Sequence, residues 1–363
     1  MYHQQTSEAI QLLKNLISIP SFSRDEKKAS DFLENFIQEK KQKVFRKENN
    51  IIVFGKNFDR NRPTLLLNSH IDTVKPVSGW TIDPFIPAQK EGKLYGLGSN
   101  DAGGSLVSLL ETFFILNEKE QPYNLIFLAS AEEEVSGKNG VELAFNSIHT
   151  KLRTQNLELF AVVGEPTEMK LAVAEKGLMV LDCTVYGKAG HAARNEGENA
   201  IYKAIKDIEW FKSYKFDKVS SLLGEMKMNV TQVNAGTQHN VIPDKCTFVV
   251  DVRSNELYSN EEILDIIKEK VACEVVARST RLGSTATPAN SSIIQKAREL
   301  NIEMFGSPTL SDQALMTFPS VKIGPGKSER SHTADEFIYV DEIEKAINTY
   351  VSLLDKLELK NRL

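Results

Sequence analysis

Cysteine is scarce in this chain. Cys183, Cys246 and Cys273 are an odd number, widely spaced, with no CxxC pair. That excludes a disulfide framework and a thiolate zinc site, and it predicts small buried residues in a reducing compartment. Long apolar runs are also missing, so no stretch approaches the eighteen or so residues of a membrane span. The amino terminus, MYHQQTSEAI, lacks a basic region followed by an apolar run and a small-residue cleavage site, so no leader is expected. Positive charge is not in excess: 44 Lys and Arg face 49 Asp and Glu, for a net charge of −5. A nucleic-acid or anionic-membrane partner would ask for a basic stripe, and neither partner is expected. Repeats and low-complexity segments are absent. A cytoplasmic globular protein is the expectation.

What is present has the grammar of two domains, the natural number for 363 residues. Ile10, Leu13, Leu16 and Ile17 repeat with a helical period that stops at Pro20, and Ala29, Phe32, Leu33, Phe36 and Ile37 mark a second helix. Strand-length apolar runs follow at 51–54, 64–68, 124–130 and 159–166, alternating with helical segments. That alternation predicts an α/β layer on a largely parallel sheet. From about residue 175 the order becomes strand, helix, strand, strand, helix, strand, the order of a ferredoxin-like unit, with Ser259 and Glu262 placed to form a capping box. The expected layout is an α/β domain over 1–174 and 282–363, interrupted by an inserted α+β domain over 175–281.

Six histidines are few enough to weigh singly. His70 ends a strand in LLLNSHIDTV, and Asp72 two residues on shares its side of an extended chain. The carboxylate could hold one imidazole nitrogen while the other binds a metal, or the two could be ordinary loop residues. Asp101 lies between glycines in YGLGSNDAGGS, where it could also cap the following helix. Glu132, Glu133 and Glu134 follow a strand; three adjacent acids repel one another unless cations are near, although a solvated loop would also carry them. Glu165 in VVGEPT and His332 in GPGKSERSHTADEF again follow strands. Together they gather at the carboxyl ends of successive strands, where sites assemble in parallel α/β sheets. Two histidines and three carboxylates can hold two divalent ions if one carboxylate bridges them.

Two phosphate-binding readings fail. GPGKS resembles the end of a phosphate loop, but the first glycine it requires falls at Val321. GLGSNDAG begins like a dinucleotide fingerprint, yet Asp101 occupies the third glycine's place and would repel a pyrophosphate.

The ordered set SHIDTV, GLGSNDAGG, SAEEEVSG, VGEPT, GKAGHAA, HNVIP and SHTADE, spanning essentially the whole chain, resembles the M20 metallopeptidase/deacylase family. The resemblance implies a zinc-exopeptidase-like catalytic domain with an inserted ferredoxin-like dimerisation or lid domain. It implies that His70, Asp101 and Glu165 bind one zinc, that Asp101 bridges to a second held by Glu134 and His332, and that cobalt or manganese could replace zinc. Asp72 would orient His70, and Glu133 would be the general acid/base. Glu132 stands where the family pattern usually has aspartate. His191 in the inserted domain would serve the partner subunit of a homodimer, while Arg253 and Asn240 would contact substrate. From the residues alone, His191 could occupy an exposed turn, Arg253 a strand surface, and Asn240 a turn. The implied reaction removes an N-acyl group, acetyl first, from a small amino acid such as ornithine. Motif wording and compact length lie nearest the acetylornithine-deacetylase branch, which would place the chain in arginine biosynthesis. Desuccinylation, aminoacylase and dipeptidase activities use the same machinery, and a non-catalytic binding module is the reading from a different class.

Overall fold

The computed structural model describes residues 2–152, 159–194 and 196–359. They divide into two compact units. One comprises Met1–Val173, Thr287–Phe305 and Ser311–Leu363; the other comprises Ala174–Ala286 and Gly306–Leu310. Gly306–Leu310 lies on the catalytic side of the expected boundary but packs with the second unit. A Cβ on Gly306 would fall 2.1 Å from the Leu222 carbonyl oxygen, a closeness only glycine permits.

In the first unit the strand order is Val44–Lys47, Asn50–Phe54, Asn124–Ser130, Thr64–His70, Leu159–Val163, Ser320–Lys322, Leu171–Glu175. The four central strands run parallel to one another, and antiparallel pairs flank them on both sides. The expectation of a largely parallel sheet therefore holds for the centre, while the flanking pairs of that path are antiparallel. Val44–Lys47 and Asn50–Phe54 are joined by only Glu48 and Asn49, and so short a link closes only an antiparallel pair. The central strands are buried throughout. Their register aligns His70 with Ser130 and Asn68 with Val163, so their carboxyl ends finish side by side.

The helix Gly104–Asn117 is buried nearly all round, as a mainly apolar sequence with no polar face requires. His3–Ile17 and Val340–Leu354 pack against it, the first through Ala9, Leu12 and Leu13, the second through Ile343, Ala346, Ile347 and Tyr350.

The second unit has the strand order Lys227–Ala235, Lys245–Ser254, Gly177–Tyr186, Glu274–Ala277, antiparallel throughout. Alternate residues Met179, Leu181, Cys183, Phe248, Val250 and Val252 join Phe211, Ile263 and Ile267 in its core. Asn199 caps the helix Ala200–Ser213, and Ser259 with Glu262 forms the expected capping box on Asn260–Lys270. All three cysteines are buried and free. No helix among the described residues is long and apolar enough to cross a membrane.

One buried acid makes the first unit's stability depend on pH. Glu111 is 2% exposed, and one of its oxygens has no hydrogen-bond partner. Burial, reinforced by Glu8 and opposed by Lys40, raises it from 4.5 to about 7. Between those values the folded chain holds a proton that the unfolded chain releases, so the Glu111 contribution to stability is fullest below pH 4.5 and is lost as pH rises through 7. The shift corresponds to about 3 kcal/mol. Glu111→Gln should therefore melt higher than the unmutated chain at pH 8 and converge with it near pH 5. Equal melting temperatures at pH 8 would contradict this.

Candidate metal centre

The aligned strand ends bring His70, Asp101, Glu133, Glu134, Glu165 and His332 together. His70 is the last residue of its strand, Glu133 and Glu134 lie just past Ser130, and Glu165 lies two residues beyond Val163. Asp101 comes from the turn before the buried helix, and its side chain does not cap that helix. Instead Asp101 Oδ1 is 3.3 Å from His70 Nε2, and Oδ2 is 3.5 Å from His332 Nε2. Each oxygen of one carboxylate thus faces a different histidine. His70 Nε2 is also 3.9 Å from Glu165 Oε1, and His332 Nε2 is 3.0 Å from Glu134 Oε2.

These spacings fit divalent cations. Donor atoms that share a tetrahedral ion at ~2.1 Å stand about 3.4 Å apart. The donor atoms of His70, Glu133 and Glu165 all lie within 4.8 Å of one another, as do those of His70, Asp101 and Glu134. Glu133 stands inside the cluster rather than behind it.

The orientation of His70 differs from the expectation. Its Nδ1 is 2.8 Å from the main-chain carbonyl of Asp72 and 3.6 Å from that residue's carboxylate. A carbonyl only accepts, so Nδ1 carries the hydrogen and Nε2 is left for a cation. The Asp72 carboxylate accepts instead from the Ser23 hydroxyl and from the N–H groups of Glu133 and Glu134. It orders the acidic run more directly than the imidazole. Glu132 is turned away: its carboxylate accepts from the side chain and main chain of Asn139, and its own N–H donates to Glu26.

Electrostatics point the same way. Burial alone would lower the His70 imidazole's pKa, but Asp101, Asp72, Glu133 and Glu165 hold it well above its ordinary value. Burial pushes Glu133 and Glu165 well up; Glu165, Asp312 and Glu134 add to the rise at Glu133, against His70. His332 is raised to about 9, chiefly by its hydrogen bond to Glu134. The cluster is rich in buried negative charge, which protons or cations must balance.

Sequence reasoning missed two buried acids. Asp312 accepts from Ser130 Oγ at 2.5 Å and is pushed up to about 6 by burial; nothing in SDQAL signals it. Glu336 accepts main-chain hydrogens from the turn that carries Asp101, and it was visible only as the last letter of SHTADE. Ser23, which donates to Asp72, gave no signal either.

The other expected site residues belong to the second unit. His191 and Asn240 are neighbours there: His191 pairs with Val241 in a short ribbon, and Ala192 N–H donates to the Asn240 carbonyl. The His191 ring accepts from Ala193 N–H through Nδ1. Arg253, half-buried, donates through Nε and a terminal nitrogen to the two oxygens of Asp251, at 2.8 and 3.1 Å. His3 pairs with Glu344 at 3.0 Å, away from the cluster.

A model of peptidase family M20/M25/M40 matches residues 66–356. A LysW-lysine/LysW-ornithine hydrolase from Sulfurisphaera tokodaii is 28% identical over 97% of this chain and 96% of its own. An acetylornithine deacetylase from Proteus mirabilis is 28% identical over 77% and 76%. A succinyl-diaminopimelate desuccinylase from Orientia tsutsugamushi is 26% identical over 72% and 71%. Among solved structures, a tripeptidase from Staphylococcus aureus superposes with a TM-score of 0.75 at 20% identity, covering 96% and 97% of the two chains. A dinuclear metal-binding peptidase from Bacillus subtilis gives 0.71 at 16% identity, covering 98% of each.

The acidic run yields a direct test. Glu134→Gln should leave the purified chain with fewer bound divalent ions than the unmutated protein, while Glu132→Gln should not, when both are dialysed and analysed by atomic emission. The reverse pattern would mean that Glu132, not Glu134, faces the cluster.

Proposed function

The chain belongs to peptidase family M20/M25/M40, and from that premise we propose that it removes the acyl group from an N-acyl amino acid, N-acetylornithine first. The observation that carries the proposal is Asp101, with one oxygen toward His70 and the other toward His332. In this reading His70, Asp101 and Glu165 hold one divalent ion, and Asp101, Glu134 and His332 hold the second, with zinc as the natural occupant and cobalt or manganese as substitutes. Ions held there supply a water acidic enough to attack near neutral pH and an electrophile for the acyl oxygen. Glu133 takes the proton of the attacking water and returns it to the departing nitrogen. That return matters as much as the attack, because an amide nitrogen leaves poorly without a proton. His191 donates to the oxyanion, Arg253 grips the substrate α-carboxylate as a fork, and Asn240 adds a polar contact. Arg253 would exchange Asp251 for the substrate.

Support for the amine half comes from the relatives' names. Ornithine appears in two of them, whereas the acyl half differs among all three. A panel comprising N-acetylornithine, N-succinyl amino acids, dipeptides and LysW-ornithine, assayed for amine release, separates the candidates. N-acetylornithine should be cleaved fastest. Its α-amide should be cleaved about tenfold or more slowly, the loss of one charge-assisted contact. Glu133→Gln should abolish turnover and keep its ions. Release from no member of the panel by the ion-loaded protein would refute the proposal.

We propose further that the protein is a homodimer built on the second unit. The helix Ala200–Ser213 leaves Tyr202 70% and Ile205 54% exposed, and the edge strand Lys227–Ala235 is open along most of its length. Apolar side chains beside an unpaired strand edge are surfaces that a second copy covers. If His191 serves the other copy's site, a hybrid of one His191→Ala and one Glu133→Gln subunit should regain activity that neither parent has. A verified hybrid that stays inactive would count against action across the interface.

A further inference from the structure

Glu336 is a buried acid, 2% exposed, that no step above uses. Its carboxylate accepts three main-chain hydrogens from a distant segment: Gly98 N–H at 3.1 Å on Oε2, and Asn100 N–H at 2.8 Å and Asp101 N–H at 3.0 Å on Oε1. The main chain of Glu336 adds a fourth tie, its carbonyl accepting from Gly96 N–H at 3.0 Å. These donors belong to the turn that delivers Asp101. Asp101 has φ −119° and ψ 101°, outside the helical region, so its N–H needs a partner from outside the helix.

The same turn is tied a second time to the segment carrying His332. Asn100 Nδ2 donates to the Lys327 carbonyl at 2.9 Å and to Ser331 Oγ at 3.1 Å, and Asn100 Oδ1 accepts from Lys327 N–H at 3.0 Å. Glu336 follows His332 by four residues and Asn100 precedes Asp101, so each segment grips the other beside its own donor residue. His332 itself has φ +59°, a conformation uncommon outside glycine that histidine adopts more readily than most residues.

We propose that Glu336 is a positioning residue for the bridging carboxylate. By gathering the N–H groups of Gly98, Asn100 and Asp101, it holds the two oxygens of Asp101 between His70 and His332. Affinity for a second cation then depends on a side chain that touches neither ion. This rests on the two-cation reading. A bridging ligand is the one most sensitive to position, because it must face both ions at once. A small withdrawal of Asp101 leaves it able to serve one ion, with the other held by the remaining donors alone.

The test titrates cation-free protein with Zn²⁺ by calorimetry and follows Co²⁺ uptake by visible absorption, with circular dichroism confirming the fold. Glu336→Ala should bind its first ion nearly as the unmutated chain does and its second about tenfold or more weakly, the usual cost of losing a residue that orients a ligand. Glu336→Gln keeps one oxygen for Asn100 and Asp101 but turns an amide NH₂ on the remaining donor. Its second affinity should fall between the two, a graded order that general loosening of the fold would not produce. Folded Ala and Gln variants that take up both ions with unchanged affinity overturn the proposal. If the Ala variant does not fold, an unchanged second affinity in the Gln variant overturns it alone. An unmutated chain that binds no second ion overturns this proposal and the two-cation reading together; normal uptake by that chain with unaffected variants overturns only the role of Glu336.

Discussion

The controlling constraint is the burial of like charge. Asp72, Asp101, Glu133, Glu134, Glu165, Asp312 and Glu336 converge in the first unit, with His70 and His332 among them. No hydrophobic gain offsets such crowding, and a carboxylate deep in a protein either finds a counter-charge or takes up a proton. The upward shifts at Glu133, Glu165, Asp312 and Glu336, caused first by burial, show that cost. Divalent ions relieve the same repulsion while leaving the carboxylates ionised and available as ligands.

The scaffold serves this cluster at two levels. Parallel pairing finishes three strands at one height, which brings His70, the acidic run and Glu165 within reach of one another. Backbone hydrogen bonds to buried acids then fix the loops that the sheet cannot reach: Asp72 orders the N–H groups of Glu133 and Glu134, Glu132 and Glu26 anchor the preceding turn, and Glu336 orders the turn of Asp101. Buried acids in this protein build loops, because carboxyl oxygens can accept from N–H groups that the sheet and helices leave unpaired.

The second unit follows simpler rules. Alternating apolar residues in Gly177–Tyr186 and Lys245–Ser254 bury one face of its sheet under two capped helices. That period-two pattern is why its order of elements was legible from the chain. His191 and Asn240 lie on a short ribbon, where the His191 ring accepts from Ala193 N–H, and the Arg253 guanidinium is held by Asp251 two residues away.

By itself the sequence determined the element types and picked out His70, Asp101, Glu133, Glu134, Glu165 and His332, which the fold brings together. Hydrophobic period reports burial, and donor residues placed after strands report a site at strand ends, both of which are local properties of the chain. Tertiary structure alone decided that antiparallel pairs flank the parallel centre of the sheet and that the Asp72 carbonyl rather than its carboxylate takes the His70 hydrogen. It also decided that Glu132 turns out of the acidic run, and that Asp312 and Glu336 join the cluster. The last three depend on a partner distant in sequence: Glu26 for Glu132, Ser130 for Asp312, the turn of Gly98 to Asp101 for Glu336. A carboxylate reads alike in sequence whether it meets solvent, a metal or a backbone N–H, and only the folded chain supplies the neighbour that tells them apart.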